Sequence, residues 1–62
     1  MRLAPIADHV AKHLPDCRKE DAWEDRLNDH IDIASGGELD WHQTGLVIDM
    51  VIARWNKAKA VA

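Results

Sequence analysis

One cysteine, no phenylalanine, no tyrosine, three glycines and two prolines make up the scarce side of this 62-residue sequence. The lone Cys17 excludes an intramolecular disulfide. A secreted chain this short would ordinarily need several bridges to support its small core, so an intracellular, cytoplasmic setting is expected. Long apolar runs are missing too: Leu46-Val47-Ile48 and Met50-Val51-Ile52-Ala53 are separated by Asp49, and Met1-Arg2-Leu3-Ala4-Pro5 contains no apolar leader core. Neither a membrane span nor a signal peptide is expected. The chain opens on Met without a tag or linker and reads as a complete short reading frame. Excess positive charge is also absent. With 8 Lys+Arg against 11 Asp+Glu the net charge is -3, so the broad cationic footprint that phosphate backbones require is lacking and nucleic-acid binding is disfavoured.

The residues present are 47% apolar, with three tryptophans as the only large aromatics. That composition suits one small globular domain near the lower size limit for a self-sufficient core. Punctuation falls at Pro5, Pro15-Asp16 and Ser35-Gly36-Gly37, and the intervening apolar residues recur at helical rather than strand spacing. The expected fold class is all-α: a three-helix bundle, or a helical hairpin plus a short N-terminal helix, completed by dimerisation. The first helix is predicted at about 5–14, with Ile6, Val10, His13 and Leu14 on one face. The second is predicted at about 18–34 around Trp23, Leu27, Ile31 and Ala34, ending at a glycine cap. The third is predicted at about 41–59 after an Asp40 N-cap, with Arg54, Lys57 and Lys59 near its C-terminus.

The third helix is apolar on two sides. Trp41, Gly45, Val47, Ile48, Val51, Ile52 and Trp55 form the main stripe, while Leu46, Met50 and Ala53 lie elsewhere on the wheel. Two short helices do not readily surround such a segment, so a second copy or another protein is expected to cover part of it. Trp41, Leu46, Met50, Ile52 and Trp55 are the candidate partner or dimer interface. The second helix, in contrast, presents Asp21, Asp25, Asp29 and Asp32 on one side. Like charges four residues apart oppose the isolated helix, which points to electrostatic recognition of a basic protein surface.

Chemistry-bearing patterns are few. His9, His13 and Cys17 follow one another at intervals of four, the spacing of metal ligands on successive helical turns, although Pro15 interrupts the second interval. Asp32 to Gln43 has the glycine spacing of a calcium loop, but Ala34 and Gly36 stand where oxygen ligands belong and Gln43 replaces the bidentate Glu. No nucleophile elbow, phosphate-cradling loop or paired-cysteine motif accompanies these residues. The expected function is therefore a small protein-protein interaction module, an adaptor or inhibitor that regulates another protein, without catalysis and without a cofactor. Two alternatives stand beside it: a metal-binding module using His9, His13 and Cys17, or a small helix-turn-helix DNA-binding transcriptional regulator. The second suffers from Trp41, His42, Gln43 and Thr44 at the start of the third helix, where a base-reading Arg or Lys is missing.

Overall fold

A computed structural model describes residues 2–61, and in it the chain forms α1 (Leu3–His13), α2 (Trp23–Ser35) and α3 (Trp41–Val61) with no strand among the described residues. α1 starts two residues before Pro5. The proline sits in the first turn, where its missing N–H would have no intrahelical partner. At the other end Leu14 turns extended (φ -118°, ψ 111°), as the residue before Pro15 prefers.

The start of α2 departs from the sequence expectation. The helix begins at Trp23 rather than near Arg18, so Asp21 lies in the preceding turn and not one helical turn from Asp25. Two local features explain the delay. Asp16 Oδ1 accepts the Arg18 backbone N–H at 3.1 Å, a side-chain-to-backbone turn that competes with helix formation. Ala22 then takes a left-handed conformation (φ 57°, ψ 27°) immediately before Trp23. The exit is as expected: Gly36 and Gly37 have φ 67° and 74°, and their N–H groups reach back to Ile33 O and Asp32 O. This is the double C-terminal bond pattern that favours glycine.

α3 opens with a reciprocal cap. Gln43 N–H donates to Asp40 Oδ1 at 2.7 Å, and Asp40 N–H donates to Gln43 Oε1 at 3.1 Å, which satisfies two otherwise orphaned donors. α1 packs most extensively on α3, and α2 packs on both α1 and α3, so each helix touches the other two. The core is Ala7, Val10, Leu14, Cys17, Leu27, Ile31, Val47, Val51 and Trp55. His13, expected on the inward face of α1, is instead exposed, and Ala7 is buried two turns before Leu14. The radius of gyration, 11.0 Å, is close to the roughly 10.6 Å of a compact globule of this length. The three helices thus pack together as one compact bundle. No helix among the described residues is long and apolar enough to cross a membrane.

Candidate protein-interaction surface

What the bundle leaves uncovered gathers at the N-terminal half of α3. Trp41 is 87% exposed although it is the first residue of a capped helix, and Leu46 is 42% exposed five residues later. The cap formed by Asp40 and Gln43 fixes the backbone on which the indole stands. Two shallow grooves flank it. One, toward α2, is lined by Asp29, Asp32, Leu39, Trp41, Gly45 and Ile48; the other, on the outer side, adds His42, Leu46 and Asp49. Gly45 contributes no side chain to either, and a Cβ built there meets nothing within 4 Å. Packing therefore does not require glycine at that helical position, where it costs about 0.5–1 kcal/mol relative to alanine. A further apolar residue, Ile33, is 80% exposed on α2.

The five residues expected at an interface separate into three groups. Trp41 and Leu46 are exposed, Met50 and Ile52 are half-buried against the core, and Trp55 is buried at 5% exposure. The apparent second apolar side of α3 thus shrinks, because Met50 and Ile52 are partly covered by packing against the core. Trp41 and Trp55 share a stripe on the wheel and end in opposite environments. Trp55 is packed with Leu14 and Cys17 in the core, whereas Trp41, at the first position of α3, borders an open groove with Asp29 and Asp32 of α2.

Around the grooves the charge is acidic. Asp25, Asp29 and Asp32 are exposed on α2 and Asp21 is exposed just before it. Three arginines are occupied elsewhere, whereas Lys19, two residues from Asp21, is exposed and in no ion pair among the described residues. Arg18 is bound bidentately to Asp16 and also donates to Asn56, Arg26 pairs with Glu20, and Arg54 pairs with Asp8 while donating to Met50 O. None of the four aspartates is in an ion pair among the described residues.

The remaining candidates are not drawn together. Cys17 is 3% exposed in the core, whereas His9 and His13 project into solvent from α1. No group of three or more His, Cys, Asp or Glu residues capable of holding a metal occurs among the described residues, so the three-ligand arrangement read from the spacing is corrected. Pro15 is the cause: beyond it the chain leaves the helical path and carries the thiol inward. As for the DNA-reader alternative, α2 and α3 are consecutive helices joined by a glycine-containing turn, the exposed side of α2 is acidic, and Arg54 is tied to Asp8. One polar feature escaped the sequence reading, the Arg18 guanidinium 5.8 Å from the Trp55 ring centroid. Nothing in the spacing of residues 18 and 55 signals that contact. Comparisons with protein-family models, curated proteins and solved structures find no match to this chain.

Proposed function

We propose that this chain is a small protein-protein interaction module, an adaptor or inhibitor that acts by binding and regulating another protein rather than by catalysis. The observation that carries the reading is Trp41, a large apolar side chain 87% exposed at a helix start capped by Asp40 and Gln43. Covering an indole of this size is worth roughly 3–5 kcal/mol at the usual area coefficient, enough to anchor a complex. Tryptophan is also the residue type most enriched among binding hot spots. Asp29 and Asp32 line the groove beside Trp41, with Asp25 further along α2 and Asp21 before that helix, and this acidity favours a partner with a basic surface, since opposite potentials steer encounter and select orientation.

A second copy is the other occupant supported by a specific observation. Trp41 and Leu46 border the same groove, so two α3 helices could pair through it and complete the bundle as a dimer. The two readings are separated by the solution mass of the chain over a dilution series, with Leu46→Asp as the control. A dimer that Leu46→Asp converts to a folded monomer supports self-association, and a concentration-independent monomer removes it.

For a different partner, the test is recovery of bound protein by the immobilised chain at low and moderate salt. A salt-sensitive partner lost by Trp41→Ala and by Asp29→Asn, with helicity retained, supports the reading. Equal recovery by wild type and both variants refutes it.

A further inference from the structure

α1 carries two imidazoles that the fold does not use. His9 and His13 are exposed one helical turn apart, with ring centroids 4.4 Å apart and ring planes inclined at 47°. Neither ring makes a hydrogen bond or an ion pair among the described residues. We propose that His9 and His13 form a two-imidazole chelate for a divalent first-row transition ion such as Zn2+, Ni2+ or Cu2+.

The geometry is close to what such an ion needs. Imidazole nitrogens bind at about 2.1 Å, so an ion on both ring axes with an angle of roughly 90–109° between nitrogens places the centroids about 4.6–5.3 Å apart. The existing separation is only slightly shorter, and both side chains have solvent around them in which to rotate. Imidazole suits these ions, whereas calcium and magnesium demand oxygen ligands.

The site differs from the three-ligand pattern because Cys17 is enclosed with Leu14 and Trp55 in the core. It therefore offers two protein ligands and leaves the remaining coordination positions to water or to a donor from another molecule. An open, exposed chelate of this kind exchanges its ion readily. It binds the folded helix better than the unfolded chain, because only helical backbone holds the two imidazoles one turn apart.

The experiment is a titration of the chelator-treated full chain with zinc sulfate, followed by imidazole ring resonances and by the thermal midpoint. We expect the His9 and His13 signals to move together and saturate at one equivalent while those of His30 and His42 stay fixed, and the midpoint to rise. His13→Gln is expected to abolish both responses, and Cys17→Ala to preserve them. Equal shifts at all four histidines, survival of the response in His13→Gln, or no saturable change up to millimolar zinc would each overturn the proposal. So would loss of binding in a folded Cys17→Ala variant, which would assign the ion to the thiol instead.

Discussion

The indole Nε1–H of Trp55 donates to the carbonyl oxygen of Leu14 at 3.0 Å, inside the core and across 41 residues of sequence. Leu14 caps the C-terminus of α1, where the last carbonyls of a helix have no intrahelical donor. Pro15 follows it and continues the chain away from the helix. The side chain of α3 thus satisfies an orphan acceptor of α1 while its ring fills the space between them. The same ring supports the Arg18 guanidinium on its outer side, with Arg18 in turn held by Asp16 and Asn56.

Trp55→Phe keeps most of the apolar volume but leaves the Leu14 carbonyl unpaired. A buried acceptor without a donor costs about 1–3 kcal/mol. We expect a loss of that size in urea denaturation, and a fall in thermal midpoint of about 4–8 °C for each kcal/mol in a domain of this length. Trp41→Phe is the comparison, because it alters an exposed ring and should change stability by no more than about 0.5 kcal/mol. Equal effects of the two substitutions would show that the Trp55 hydrogen bond contributes nothing beyond area.

At Ala22 the backbone favours a different residue. Its φ of 57° places a side chain in the left-handed region, at a cost of about 1–2 kcal/mol for a residue with a Cβ. Glycine removes that strain but loses more entropy on folding, about 0.5–1 kcal/mol. Ala22→Gly is therefore expected to stabilise the protein by about 0.5–1 kcal/mol, against the usual direction of such a change beside a helix. A lower denaturation midpoint in Ala22→Gly would contradict the left-handed start of α2.

Much of this architecture is legible from residues alone, and what escaped has a physical reason. The glycine stop of α2 and the Asp40 start of α3 are readable because caps depend on neighbours within four residues. The buried Val10, Leu27, Ile31, Val47 and Val51 follow from helical periodicity. The late start of α2 is not readable in that way, since it depends on Asp16 bonding its own local backbone and on Ala22 adopting a conformation rare for its type. The separate fates of Trp41 and Trp55 depend on how the helices pack, which buries Trp55 and leaves Trp41 exposed. Wheel position carries no such information, and the exposed site therefore emerges only once the helices have been packed.

Asp16 gives the fold an acid-sensitive contact. Its hydrogen bonds from the Arg18 side chain and backbone hold the carboxyl below its ordinary 3.8, at about 2, and the same pair raises the Arg18 guanidinium. The folded state thus binds the proton less readily than the unfolded chain. The contact's contribution is fully present above about pH 4 and is lost as the pH falls from about 4 toward 2. Asp16→Asn should narrow the stability difference between pH 5 and pH 2 relative to the wild type. Identical acid limbs in the two proteins would remove Asp16 from the list of groups that sense acid.

Gly45 separates what the fold needs from what a partner needs. It lies in the interior of α3, where alanine is preferred by about 0.5–1 kcal/mol, and nothing within 4 Å would obstruct an added Cβ. Gly45→Ala is therefore expected to raise stability by about that amount, read from the urea midpoint. The same methyl would stand in the two grooves that border Trp41, between Ile48 and the aspartates of α2 on one side and Leu46 on the other. If a partner seats against the helix backbone there, Gly45→Ala will weaken binding while strengthening the fold, and Gly45→Leu will weaken binding further. Stability and binding moving in opposite directions cannot arise from simple unfolding, so this pair of measurements distinguishes a lost contact from a lost structure. Unchanged binding by Gly45→Leu in a folded protein would place the partner's footprint away from the Trp41 grooves.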